Sequence, residues 1–321
     1  MDQDFLVALT EIPSVGTACG PVLNLLADHF GSGYDRTQVQ DGFCLFQKSG
    51  ARPEEIRAVF VAHVDEVGGC AYGPRPEGGF HARCWGNKPE VFANARLQGF
   101  DYLEEDAGNA FPIQSEVIEV NEESRLALLG DRIRPYRTAW TFQESTRISG
   151  DVIEGKALDP RVTAFAVAEA VLALNDQSIA ALFVMAEECA MDVARKAVTF
   201  LQRRAPDLRL IVNADVPGIE NLGEGRLDLP AIRIFEGRNF IDPAFGIRVS
   251  DRLAAQGVEF HLSAARSGSQ TLLFTPIAPT LSIALPSAGV HLPRVQMSLR
   301  GTERCISLLT AIGAGALNGD F

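Results

Sequence analysis

Residues 57–68 read R-A-V-F-V-A-H-V-D-E-V-G. This stretch decides the fold, because its apolar run shows no polar alternation and stops abruptly at His63 and Asp65. A strand that is apolar on both faces must be covered on both faces, as in the inner strands of an α/β sheet. Residues 179–186 (I-A-A-L-F-V-M-A), 208–214 (L-R-L-I-V-N-A), 231–235 and 279–285 are further candidate strands. Between them lie amphipathic stretches predicted to be helices, at 19–30, 161–174, 193–204, 244–256 and 299–316. In the second of these, Val162, Phe165, Ala166, Ala170 and Ala173 recur at helical spacing and give a buried face. The alternation predicts an α/β fold, a mixed central sheet with helices on both faces.

The middle of the chain breaks this pattern. From about residue 70 to 149 it is rich in Gly, Pro, Arg and Glu, with short alternating runs such as S-E-V-I-E-V at 115–120. That composition predicts a small β-rich insert. The expected organisation is a discontinuous main domain, residues 1–69 and 150–321, interrupted by a module at 70–149.

Composition narrows the partners. The chain has 321 residues, 46% of them hydrophobic, enough to bury a core without staples. Its formal net charge of -12 argues against nucleic acid or an anionic membrane surface. No apolar stretch reaches the length of a membrane span. The six cysteines form no C-x-x-C pair, and the start, M-D-Q-D-F, lacks the basic, apolar character of a secretory leader. Reduced thiols in a cytoplasmic protein are the expectation.

The chemistry-bearing residues fall where the strands end. His63 closes the first run, Glu187 and Glu188 follow the second, Asp215 follows the third, and His291 comes shortly after the last. Ligands of open α/β sheets bind outside the carboxyl ends of the strands, so these residues are expected at one edge. Two histidines and several carboxylates suit two adjacent divalent ions with a position left open for water or substrate. Mixed nitrogen and oxygen donors accept zinc, cobalt or manganese. In the pair, one carboxylate would bind metal and the other move a proton, and Asp65 would orient the His63 imidazole. Each signal alone has an ordinary explanation. An acidic pair after a strand suits a helix N-terminus, and Asp159 before Pro160 reads as a helix cap. The argument rests on their combination and order.

That order resembles a known family. A-H-V-D-E-V-G at 62–68, G-K-A-L-D at 155–159 and the pair Glu187 and Glu188 are similar to the glutamyl/tetrahedral aminopeptidases, zinc-peptidase-like, endoglucanase-M-like enzymes with two co-catalytic metals. The resemblance covers most of the chain outside the insert. It implies two divalent ions, zinc first, held by His63, Asp159, Glu188, Asp215 and His291, with Asp159 bridging, Glu187 as general base and Asp65 orienting His63. It implies short peptides as substrates and a homo-oligomer assembled through the insert. A related two-metal hydrolase acting on N-acylated or non-peptide substrates is the alternative.

The chain also departs from the family pattern. Pro160 stands where a second aspartate is usual, and proline suits the cis bond that related metallopeptidases carry there, so Asp159–Pro160 is expected to be cis. The glycine-rich segment before the last strand is altered to S-G-S-Q-T at 267–271, and the segment 13–20 lacks the usual acidic residue. Of the remaining candidates, His29 is expected at a helix surface or helix end, and His81 and His261 outside the site. Glu66 has no assigned chemistry, and Cys189 is expected on the pocket floor. Trp85, Phe92, Trp140 and Phe142 are expected in packing or an interface. Gly223 and Gly225 lack the lysine of a phosphate-binding loop and predict a turn.

Overall fold

Residues 58–63 divide their side chains between two cores, as a strand must when successive residues point to opposite faces. Ala58, Phe60 and Ala62 enter one cluster; Val59 and Val61 enter the other. The structure, a computed structural model, describes residues 1–103, 109–120, 123–222 and 225–320.

The chain opens with helices α1 (Gln3–Glu11) and α2 (Gly20–Phe30), then strands β1 (Tyr34–Val39), β2 (Phe43–Lys48) and β3 (Ala58–His63). Six strands follow: β4 (Gly68–Pro74), β5 (Phe80–Trp85), β6 (Leu97–Asp101), β7 (Phe111–Val120), β8 (Glu123–Leu129) and β9 (Thr138–Phe142), with helix α3 (Pro89–Ala93) between β5 and β6. Strands β10 (Arg147–Ser149) and β11 (Val152–Gly155) lead to helix α4 (Leu158–Leu174). Then come β12 (Ile179–Val184), α5 (Ala194–Arg204), β13 (Leu210–Asp215), β14 (Ala231–Glu236) and β15 (Asn239–Phe240). The chain closes with α6 (Pro243–Ala255), β16 (His261–Ala265), α7 (Thr271–Phe274), β17 (Thr280–Ala284), β18 (Val295–Ser298) and α8 (Leu299–Asn318).

Among the described residues the main sheet has nine strands in the order β1-β2-β12-β3-β13-β17-β14-β15, with β16 beside β14. Strands β12, β3, β13 and β17 run parallel, while β2 pairs antiparallel to β12 and β14 antiparallel to β17, so the sheet is mixed. Residues from α1, α2, α4, α6 and α8 form the larger core on one face; residues from α5 and α7 cover the other. Strands β4 to β9 close into a separate barrel around Trp140, Phe92 and Phe142, all at most 1% exposed. No described helix is long and apolar enough to cross a membrane.

Several boundaries differ from the sequence reading. Strand β12 stops at Val184, because Met185 and Ala186 donate backbone hydrogen bonds to Gly42 and Gly16 and leave the sheet. Asp215 is the last residue of β13 rather than the residue after it. Helix α4 starts at Leu158, three residues early, but Asp159 inside it is non-helical (ψ 114°), and the Asp159–Pro160 bond is cis. His29 lies in the last turn of α2 and is half-buried: it stacks on Phe5 at 3.7 Å and pairs with Glu169 at 2.7 Å. Gly223 lies outside the described residues.

Candidate metal centre

The parallel strands bring their carboxyl ends to one edge, and that edge carries the cluster. His63 ends β3, Asp215 ends β13, and Glu187 and Glu188 follow β12. His291 lies on the loop after β17, and Asp159 projects from the non-helical start of α4. Three non-glycine residues at these junctions, Ala157, Ala186 and His291, hold left-handed backbone, with φ of 53°, 63° and 64°. Such a conformation costs on the order of 1 kcal/mol for an L-residue. Local strain gathered around a site is the mark of backbone held in place by its surroundings.

All seven residues singled out from the sequence come together. His63 Nε2 lies 3.3 Å from Asp159 Oδ1 and 3.6 Å from Asp215 Oδ1. His291 Nε2 lies 3.4 Å from Asp159 Oδ2 and 3.1 Å from Glu188 Oε1. Glu187 groups with His63 and Glu188, their ligand atoms within 4.8 Å of one another. On its other side, His63 Nδ1 meets Asp65 Oδ1 at 3.3 Å. Asp65 also accepts the backbone N–H groups of Glu187 (2.9 Å) and Glu188 (3.1 Å). It therefore ties the strand-β3 histidine to the loop that carries the acidic pair.

Electrostatics single out the cluster. Asp65, Asp159, Glu187, Glu188 and Asp215 crowd two imidazoles in a largely buried space, and the Arg233 guanidinium is the cation that faces them through Asp215. Burial pushes the Glu187 carboxyl up to about 8, against the opposing pull of His63. Burial likewise raises Glu188. Burial would lower the imidazolium pKa values, but facing carboxylates outweigh it. Asp159, Asp215 and Asp65 hold His63 well above its ordinary value, and Asp159 and Glu188 lift His291 to about 11. Asp215 goes the other way: burial would raise it, yet His63 and Arg233 hold it below the usual carboxylate range.

The donor set fits divalent cations. Asp159 Oδ1 is fully buried and makes no hydrogen bond, although it is 3.3 Å from His63 Nε2; the approach lacks hydrogen-bonding geometry. A buried carboxylate oxygen left unpaired costs several kcal/mol, and a cation between it and the imidazole would remove that cost. The cluster opens into a cleft further lined by Val216, Pro217, Gly218, Ser267, Gly268 and Val290. Cys189, expected on its floor, instead turns its thiol toward the Ala186 carbonyl, 3.9 Å away.

Other supporting residues escaped the sequence reading. Glu66 is fully buried and accepts from Lys156 Nζ (2.6 Å), Thr141 Oγ1 (2.8 Å) and the Ser14 amide (3.2 Å). Arg161 Nη2 approaches it at 3.9 Å. Gly86 and Asn87, on the loop after β5, hold His291: its Nδ1 meets the Gly86 carbonyl at 2.9 Å, and Asn87 Nδ2 donates to its backbone carbonyl at 2.9 Å. Arg233 was read only as part of a strand, and its one sequence signal is a lone guanidinium in the apolar run A-I-R-I-F. His81 and His261 lie on β5 and β16, away from the cluster.

No family model matches the chain, and no curated protein sequence matches it. Solved structures do. The Pyrococcus horikoshii TET1 peptidase is 16% identical, covers 97% of this chain and 98% of its own, and superposes with a TM-score of 0.81. A TET aminopeptidase from a marine-sediment Thaumarchaeota archaeon is 16% identical over 97% of this chain and 95% of its own, with a TM-score of 0.80. A Thermotoga maritima endoglucanase follows at 14% identity, 98% of each chain and a TM-score of 0.71. At such identities the likeness is one of architecture, and the chain has the fold of the TET aminopeptidases.

Proposed function

We propose that the chain is a metal-dependent aminopeptidase that releases N-terminal residues from short peptides. The observation that carries this reading is the placement of Asp159, whose Oδ1 faces His63 while its Oδ2 faces His291. One divalent ion would be held by His63, Asp215 and Asp159, and the other by His291, Glu188 and Asp159. Zinc is the first choice, with cobalt or manganese as alternatives. Ions bound there supply Lewis acidity toward a scissile carbonyl and lower the pKa of a water.

The side chains do the rest. Glu187 stands at the cluster beside His63 and Glu188, placed to take a proton from an attacking water and return it to the leaving amine. Its pKa, about 8 through burial, would be drawn toward neutrality by nearby positive charge. Asp65 fixes the His63 ring with Nε2 toward the cluster. The fold shared with TET aminopeptidases supports the peptidase reading, and so does the uncharged lining of the cleft beyond the cluster.

The test is direct. Stripping the purified protein with a chelator should abolish release of N-terminal residues from short peptides, and Zn²⁺ or Co²⁺ should restore it. N-acetylated peptides should resist. Activity on N-acylated substrates alone would select the related hydrolase, and a reloaded protein that cleaves neither would end the reading.

The barrel-bearing segment, residues 70–149, would serve as the assembly module of a cytoplasmic homo-oligomer. The Pyrococcus horikoshii TET1 peptidase can assemble into a tetrahedron or a large octahedral shell. Light scattering on the intact protein tests for an oligomer, and a monomer at micromolar concentration would refute it.

A further inference from the structure

We propose that Arg233 is a positioning residue that restricts Asp215 to a single ligand oxygen, and that the altered segment 267–271 exists to seat the carboxylate that holds Arg233. Both terminal nitrogens of Arg233 donate to Asp215 Oδ2, at 3.3 and 3.2 Å. Asp215 Oδ1, the oxygen near His63, is thereby the one left to face a cation. A guanidinium so placed blocks bidentate coordination by its own fork geometry.

Arg233 is itself held from behind. Its Nε lies 3.0 Å from Glu236 Oε1 and donates to Ser282 Oγ at 2.8 Å. Glu236 is wholly buried. It accepts the Ser269 amide (3.1 Å), Ser269 Oγ (2.9 Å), Thr271 Oγ1 (3.2 Å) and Ser282 Oγ. The seat also grips strand β13 two residues before Asp215, since Asn213 Nδ2 donates to Thr271 Oγ1 at 2.9 Å and Gln270 Nε2 donates to Asn213 Oδ1 at 3.1 Å. Ser267 and Gly268 of the same segment line the cleft. A continuous chain of polar contacts thus runs from Ser269, next in sequence to the cleft wall, through Glu236 and Arg233 to Asp215. The hydroxyls of Ser269 and Thr271 and the Ser269 amide supply the hydrogen-bond partners that a buried carboxylate requires.

The inference rests on the two-metal reading, and the experiment separates the two. Zinc binding is measured by titration calorimetry on the chelator-stripped native chain, on Arg233→Met, and on Arg233→Met combined with Glu236→Gln, which leaves no unpaired carboxylate at position 236. The native chain should take up two ions. In both variants the ion on the His63–Asp215 side should weaken about 10–100-fold, while the ion on the His291–Glu188 side keeps its native affinity. Anomalous scattering from crystals grown with limiting zinc identifies which side empties first. Unchanged affinities, or equal loss at both sides, would overturn the proposal. A native chain that binds no zinc would instead overturn the metal reading beneath it. If neither variant folds, the zinc-loaded native crystal decides. Asp215 bound through Oδ1 with Oδ2 still on Arg233 supports the role, and a bidentate Asp215 refutes it.

Discussion

Asp65→Asn is the substitution that the geometry constrains most tightly. The Asp65 side chain is fully buried and faces three donors: the Glu187 amide and His63 Nδ1 on Oδ1, and the Glu188 amide on Oδ2. His63 Nδ1 must carry the proton if Nε2 is to face a cation. Asparagine is isosteric but offers one acceptor oxygen. With that oxygen in the Oδ1 position it still serves two donors, and its amide nitrogen then faces the Glu188 N–H, donor against donor. Flipped, it keeps Glu188 and abandons Glu187 and His63. Either way at least one buried donor goes unsatisfied, at a cost of about 1–3 kcal/mol. For a chain of 321 residues, an unfolding entropy of about 2 cal/mol/K per residue makes this roughly a 1.5–5 °C drop in Tm. The less firmly oriented imidazole should cost a further 10–100-fold in metal affinity or activity. Differential scanning calorimetry of the metal-free proteins and zinc titrations of both give the two numbers. An Asp65→Asn protein with native Tm and native zinc affinity would refute the assigned hydrogen-bond roles.

Glu187→Gln should leave zinc content intact while lowering kcat/KM by about 10²–10⁴-fold, the range for a lost general base; metal analysis and steady-state kinetics check both halves. Saturating zinc should raise Tm, since an ion at a hundred times its Kd contributes about 2.7 kcal/mol by mass action. That increment should grow as pH rises from about 5 to 9. In the metal-free protein the raised pKa values of Glu187 (about 8) and His291 (about 11) mean that their stabilisation is complete below the unfolded values and lost as pH rises through the folded ones. Zinc must displace the same protons, so calorimetry in buffers of different ionisation enthalpy should show proton release, and none would contradict the assignment. Gly86→Ala should destabilise by more than about 1 kcal/mol. Its φ is +79°, and a Cβ there would lie 2.2 Å from Val67 Cγ1 and 3.2 Å from Glu188 Oε2. Its zinc titration should show the His291 side weakened.

Those residues were legible in the sequence to the extent that burial alone dictates pattern. Strands β3, β12, β13 and β17 are covered on both faces, so their sequences are mostly apolar, and His63, Glu187 and Asp215 mark where β3, β12 and β13 leave the core. Of the candidate ligands, His63, Glu188 and Asp215 were readable because they sit at or just beyond those ends, whereas Asp159 starts a helix and His291 lies on a loop. Strand β1 was not readable, since it lies at the sheet edge and its interior residues, D-R-T-Q, are all exposed, which removes any alternation. Helix α1 is short, and its start is set by one hydrogen bond from the Phe5 amide to Asp2 Oδ1. Barrel closure depends on pairing between β4 and β9, some seventy residues apart, which no local pattern encodes. Arg233 was missed, and Glu66 left without a role, for a related reason: a buried charge is recognised by its partners, and Asp215, Ser282, Thr141 and Lys156 come from other segments.

Those partners also explain why the barrel is not a passive appendage. The loop that leaves β3 is gripped by Glu66, which takes one bond from Thr141 on barrel strand β9 and another from Lys156 just before α4. A second barrel loop, at Gly86 and Asn87, fixes both the ring and the backbone of His291. A shift of the barrel relative to the sheet would therefore act on His63 through residues 64–66 and on His291 directly, one imidazole on each side of Asp159. Buried charge pairs of this kind add little net stability, but breaking one is expensive, so they make the arrangement all-or-none. The barrel and the metal cluster should consequently unfold together, and hydrogen exchange of the Thr141 and Gly86 amides should slow when zinc binds at a cluster to which neither residue contributes a ligand.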